Sequence, residues 1–164
     1  MNPHRPGLGT LLRRLIDETD GAVETAYRDA GLDFRPRYTP IVRTLVAIGP
    51  APIRALAEVA LVSHSAASQT VSQMARAELV VLQSGRDGRE RIVALTPKTE
   101  GMLPMLEQFW AQTSAAAAEL DAELSAPLSG ALEEAIAALA REPFAARISR
   151  AVEAEPASAK ESPT

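Results

Sequence analysis

Residues 53–96, IRALAEVALVSHSAASQTVSQMARAELVVLQSGRDGRERIVALT, decide the fold. A short helix begins at the preceding Pro52 and carries Ile53, Leu56, Ala57 and Ala60 on one side. Leu61-Val62 then leads to Ser63, whose hydroxyl suits a helix N-cap. The spacing predicts a second helix from there to about Ala77, with Ala67, Val71 and Met74 inward and Thr70 beside them. Its outer side is short and polar: Ser65, Ser68, Gln69, Ser72 and Gln73. Leu79 to Ser84 and Arg91 to Leu95 follow as strands, rich in Val and Ile. Between them, Gly85 to Glu90 holds two glycines and an Asp, the composition of a hairpin tip, with Arg86 and Arg89 on it and Arg91 at its exit.

The flanks are helical. Apolar residues recur at Leu8, Leu12, Leu15, Ile16, Val23, Ala26, Tyr27 and Ala30, and Gly31 is placed to end that helix. Thr39-Pro40 reads as an N-cap followed by Pro at the first helical position. Ile41, Leu45, Val46 and Ile48 continue that helix to Gly49-Pro50. After the hairpin, Thr96-Pro97 repeats the start signal for a long helix to about Leu124, which Pro104 should kink or restart. Its apolar side is Met102, Met105, Leu106, Phe109 and Trp110. Leu128 to Ala140 and Phe144 to about Val152 predict two more helices. Met1 to Gly7 is expected to be a mobile arm and Glu153 to Thr164 a disordered tail.

Composition narrows the function. The chain has 164 residues, 46% hydrophobic but only 4% aromatic, so the core should be Ala-rich and helical. With no Cys and only two His, thiolate chemistry is excluded and a His-built metal site is disfavoured. No Ser-His-Asp set or phosphate loop is visible, so no enzyme and no cofactor are expected. No apolar run is long enough to cross a membrane, and Met1 to Gly9 is polar and Pro-rich rather than a signal peptide, which predicts a cytoplasmic protein.

The formal net charge of −4 is unevenly spread. Residues 35–98 carry nine Lys and Arg against four Asp and Glu, in a chain with 17 and 21 of them in all. A basic middle between acidic flanks suits a protein that aims one face at phosphate. A helix-turn-helix uses one helix to brace the backbone and a second to enter the major groove. Ala57 is the small residue where the two would cross. On the second helix, Ser can donate or accept, and Gln can pair with the two-atom edge of adenine. The arginines of the hairpin suit an adjacent minor groove or its phosphates.

Ala55-Leu56-Ala57-Glu58 through Val62-Ser63, then Ser65 to Val71, Leu79-Val80, Asp87-Gly88-Arg89 and Val93-Ala94-Leu95-Thr96 resemble the MarR (multiple antibiotic resistance regulator) family of winged helix-turn-helix proteins. The wing pattern, Asp-x-Arg and then an apolar strand ending Leu-Thr, is met by Asp87, Arg89, Leu95 and Thr96. Leu61 and Glu78 stand where the family commonly has Gly. The resemblance implies that Ser63, Ser65, Ser68 and Gln69 face DNA; the reading of the polar helix face and the hairpin adds Ser72, Gln73, Arg86 and Arg91 as candidate DNA contacts. It implies that Arg89 enters the minor groove or contacts phosphate and that Asp87 orients a wing arginine. It further implies a homodimer and a small aromatic or phenolic effector, for which Arg14, Tyr27, Tyr38, Phe109 and Trp110 are the candidate contacts.

The expected fold is therefore mainly α with a small two- to three-stranded β-wing. Residues 1–34 form an N-terminal dimerisation helix, 35–100 the winged helix-turn-helix lobe, 101–152 the C-terminal dimerisation helices and 153–164 the tail. The expected function is a ligand-responsive repressor that binds a palindromic double-stranded operator as a homodimer. The residues leave one alternative open, a helical dimeric interaction scaffold that has lost DNA binding.

Overall fold

The computed structural model of the chain describes residues 5–85 and 91–154. Among the described residues, seven helices and three strands run in the order α1 (Leu8–Asp29), α2 (Thr39–Ile48), β1 (Ala51–Pro52), α3 (Ile53–Val59), α4 (His64–Arg76), β2 (Val80–Ser84), β3 (Arg91–Leu95), α5 (Pro97–Glu123), α6 (Leu128–Arg141) and α7 (Phe144–Ala154). A 3-10 turn, Pro36–Tyr38, leads directly into α2. The chain divides within α5 into two compact units, Met1–Trp110 and Ala111–Thr164. The mainly helical winged helix-turn-helix fold expected from the sequence is the one observed.

The sheet is antiparallel in the order β1-β3-β2. Val80 pairs with Leu95 and Ser84 with Arg91 on one side of β3, and Ala51 pairs with Val93 on the other. The third strand, two residues long and ending in Pro52, has no periodicity by which to be recognised; Pro is tolerated there because β1 is an edge strand. Helix α2 begins differently from expectation. Thr39 lies inside the helix, and its N-cap position is Tyr38 with no side-chain cap bond, because the 3-10 turn has already set helical geometry. The helix α5 runs unbroken through Pro104, so that residue does not restart it. Glu153 and Ala154 are the last turn of α7, not the start of a tail. The arm residues 1–4 and the tail residues 155–164 lie outside the described residues.

The core of the first unit gathers Leu56 and Ala57 of α3, Ala67, Val71 and Met74 of α4, Leu79, Val93, and Leu106 of α5, each at most 5% exposed. The helical ones among them are the inward positions that the spacing picks out. Val46 and Ile48, in contrast, are about half exposed.

Three helices of this unit end in the same motif, in which a left-handed residue returns two amides to the last turn. At α1, Gly31 (φ 72°) donates to Arg28 O and Leu32 to Tyr27 O. At α3, Leu61 (φ 55°) donates to Glu58 O and Val62 to Ala57 O. At α4, Glu78 (φ 59°) donates to Ala75 O and Leu79 to Met74 O. The two positions occupied by residues other than Gly are the two where the resemblance leads one to expect Gly. The turn keeps its ordinary form, at the cost of left-handed backbone strain at two residues that carry a Cβ.

In the second unit, Asp121 of α5 caps α6. Its carboxylate accepts from the amides of Leu128 (2.8 Å) and Ser129 (3.4 Å) and from the Ser129 hydroxyl. Glu142 is ion-paired to Arg150 and, at 3.4 Å, to Arg147. None of residues 111–154 is fully buried, and Leu120, Leu124, Ile136, Leu139, Phe144, Ile148 and Val152 are exposed.

Candidate nucleic-acid interface

The second helix of the helix-turn-helix is held at both ends. At its start, the Ser63 hydroxyl accepts the amide of Ala66 at 3.1 Å, the N-cap that the sequence predicts. At its end, the first turn of α5 supplies donors to three successive carbonyls. Lys98 Nζ donates to Ala77 O (3.0 Å), Thr96 Oγ1 to Glu78 O (2.8 Å) and the buried Thr99 Oγ1 to Leu79 O (2.6 Å). Thr96 Oγ1 also accepts the amide of Thr99 at 3.3 Å and so caps α5 itself. Carbonyls left over where α4 ends are thereby satisfied by another element. Thr96 was expected as a cap; the second role of this Thr-Pro-Lys-Thr segment was not legible from spacing.

With the underside of α4 buried, its outer side is left to solvent. Ser63, Ser65, Gln69 and Ser72 are exposed, while Ser68 and Gln73 are half-buried. Ser72 spends its proton on Ser68 O (2.8 Å) and keeps its lone pairs. Gln73 departs from the polar outer face, because its Oε1 is buried and has no hydrogen-bond partner. Arg91 is exposed at the start of β3. Arg86, Asp87 and Arg89 lie outside the described residues.

The candidate effector contacts are only partly brought together. Tyr27, 1% exposed, is a core residue with its ring edge-on to Phe34 (5.5 Å) and to Phe109 (5.3 Å). Phe34 in turn meets Tyr38 at 5.7 Å. Phe34 joins the two tyrosines, a link the sequence did not announce. Trp110 lies under the Arg43 guanidinium, 5.6 Å from the ring centroid, and its Nε1 is buried without a partner. Arg14 does not join them. It is 13 residues before Tyr27 on the same helix, roughly 20 Å away, in a shallow cleft with Thr10, Arg13, Asp17 and Glu18.

Among the described residues, no group of three or more His, Asp or Glu could hold a metal ion, and no helix is long and apolar enough to cross a membrane.

No family model matches the chain, and no curated protein does. Solved structures do match. The M. tuberculosis transcriptional regulator MosR in complex with DNA is 20% identical with a TM-score of 0.64, over 84% of this chain and 97% of that one. A MarR family transcriptional regulator from Silicibacter pomeroyi is 19% identical with a TM-score of 0.53, over 87% and 95%. This is the MarR fold. A third MarR-like structure, Bordetella bronchiseptica BpsR, is 18% identical with a TM-score of 0.51, over 68% and 84% of the two chains. Its DNA binding is regulated by 6-hydroxynicotinic acid.

Proposed function

We propose that this chain is a sequence-specific DNA-binding transcriptional regulator, a repressor that binds a palindromic operator as a homodimer. The observation that carries the reading is α4: buried on one side, fixed at both ends, and presenting Ser65, Gln69 and Ser72 outward. A helix so held has the shape and chemistry to read base edges from the major groove. The DNA complex of MosR, which shares the fold, supports it. Arg89 and Arg91 of the wing would reach the neighbouring minor groove or its phosphates, with Asp87 orienting one of them.

Dimerisation is supported by exposed apolar side chains in both terminal regions, Leu8, Leu11 and Ile16 of α1 and Ile136, Phe144 and Val152 of α6 and α7. Helices with such faces need a partner surface. A two-fold axis would set the two recognition helices roughly 34 Å apart, one turn of DNA. The effector reading is supported by the unpartnered Trp110 Nε1 beside Arg43, a donor and a cation that together suit an aromatic carboxylate or phenolate. Such a ligand would act by favouring a spacing of recognition helices that no longer fits DNA.

Selection of duplexes from a random library, followed by binding at two salt concentrations, tests the function. A palindromic consensus bound in a saturable, salt-sensitive complex is expected. Absence of any such complex would favour the scaffold alternative, to which the 90% exposed Leu61 in the turn lends some support. The lone tryptophan reports on the effector: aromatic carboxylates should quench Trp110 and release DNA in the same concentration range.

A further inference from the structure

We infer that the cleft between the α1–α2 connection and the end of α4 is a phosphate cradle, which takes a backbone phosphodiester of the bound duplex. The inference rests on the DNA-binding reading above and adds a contact surface to it. The cleft, of about 450 Å³, is lined by Asp33, Arg35, Arg37, Tyr38, Gln73, Arg76 and Ala77. It shares Gln73 and Arg76 with a smaller groove along Ser68, Gln69 and Ser72, so it adjoins the proposed base-reading face.

Three guanidinium groups around one cleft repel one another unless an anion joins them. Arg35, Arg37 and Arg76 are all exposed, and no ion pair engages any of them among the described residues. The other arginines that do pair, such as Arg54 with Glu58 at 3.1 Å, show what a neighbouring carboxylate would do. Asp33 offsets part of the charge without forming such a pair.

The backbone prepares the site. Pro36 pushes the preceding residue to extended geometry, and Arg35 adopts φ −120°, ψ 142°. The 3-10 turn then closes with Tyr38 N donating to Arg35 O at 2.9 Å. Tyr38 is buried, and the Arg37 guanidinium lies 5.8 Å from its ring centroid. Stacking of this kind limits the freedom Arg37 would lose on binding. Gln73 supplies the second observation. Its Oε1 is buried without a hydrogen-bond partner, the residue lines the same cleft, and a half-turn of the carboxamide would put N–H donors where that oxygen is. Arg forks and an amide donor are the chemistry that recognises phosphate.

The test compares wild type with the Arg35→Gln, Arg37→Gln, Arg76→Gln triple variant on a duplex selected by the wild type. One phosphate lost per protomer should lower the slope of log K against log salt by roughly 1.8 per dimer and weaken binding roughly 60-fold at 0.1 M salt. The selected consensus should not change, because phosphate contacts carry no sequence information. Asp33→Asn should tighten binding severalfold, an effect no folding defect produces. An unchanged slope in the triple variant would overturn the cradle while leaving DNA binding intact. A wild type that binds no duplex would instead overturn the DNA reading and the cradle's assignment with it. Inorganic phosphate, followed by the Nε signals of the three arginines in NMR, separates the sources. Selective shifts together with an unchanged DNA slope would mean that a free oxyanion occupies the cleft, and the phosphodiester assignment would be wrong.

Discussion

Replacing Leu61 and Glu78 with Gly should make this protein more stable. Both residues sit at the left-handed position of a helix-ending turn, with φ 55° and 59°. An L side chain there costs roughly 1–2 kcal/mol. Gly removes that cost but loses more backbone freedom on folding, roughly 0.5–1 kcal/mol, so about 0.5–1 kcal/mol of net stabilisation remains per site. Burial does not oppose the change: Leu61 is 90% exposed and Glu78 is exposed. Glu78→Gly also removes a carboxylate from the negative end of the α4 dipole, roughly 0.3 kcal/mol or more. The pair together should raise the melting temperature by roughly 2–8 °C for a chain of this size.

The same turn at α1 provides an internal control. Gly31 has φ 72°, and a Cβ added there would meet no atom within 4 Å. Gly31→Ala therefore tests backbone strain without a steric clash, and it should destabilise by about 1 kcal/mol. Thermal unfolding followed by far-UV circular dichroism measures all three. A fall in melting temperature for Leu61→Gly or Glu78→Gly, or no effect of Gly31→Ala, would refute the argument from left-handed geometry.

Further outcomes are expected elsewhere. Thr99→Val removes the donor to Leu79 O but leaves Thr96 N bonded to it at 3.2 Å, so urea unfolding should show a loss of about 1 kcal/mol. Arg89→Ala should weaken operator binding by roughly 1–3 kcal/mol with the dimer intact, and an unchanged gel shift would remove the wing from the mechanism. Gln69→Ala should change the consensus selected from random DNA more than the total affinity; identical consensus sequences would contradict that. The hydrogen bond from Ser129, with those from the α6 amides, holds the Asp121 carboxyl below its ordinary value of 3.8. A depressed folded value means that its contribution is present above that ordinary value and is lost as pH falls through the lower folded one. Local opening of the α5–α6 corner should therefore increase as pH falls through that range, and Asp121→Asn should remove that pH dependence; hydrogen exchange across 121–131 reports it.

Much of the lobe was legible because burial imposes a period. Ala67, Val71 and Met74 could be assigned to the underside of α4 by spacing alone, and the structure buries all three. Ser63 was legible because capping is local chemistry. What escaped is non-local. Strand β1 exists only because β3 lies beside it, and Thr39 loses its capping role because the 3-10 turn precedes it. Gln73 looked like one more polar residue on an outer face, yet its Oε1 is buried, and the residue lines the cleft beside the α1–α2 connection. Phe34 and Arg43 gain meaning only from the rings they meet, Tyr27 and Tyr38 for one and Trp110 for the other.

The way α4 is held bears on how any control could act. Its N-terminus is capped by Ser63, and the backbone leaving its C-terminus is tied to Lys98, Thr96 and Thr99 at the head of α5. Its underside packs against α3 through residues that are 5% exposed or less. Unwinding α4 would break the cap and the packing together and expose buried polar groups, a cost of several kcal/mol. A small ligand has about 1–3 kcal/mol of coupling energy to spend. Melting α4 is thus the costlier route, and displacing it as an intact body is the cheaper one. Because α5 contributes both the ties to the end of α4 and the aromatic residues Phe109 and Trp110, an effector seated at those rings would act on the helix that anchors α4. An effector that abolished DNA binding while leaving the amides of α4 as protected from exchange as before would agree with this; selective loss of their protection would rule it out.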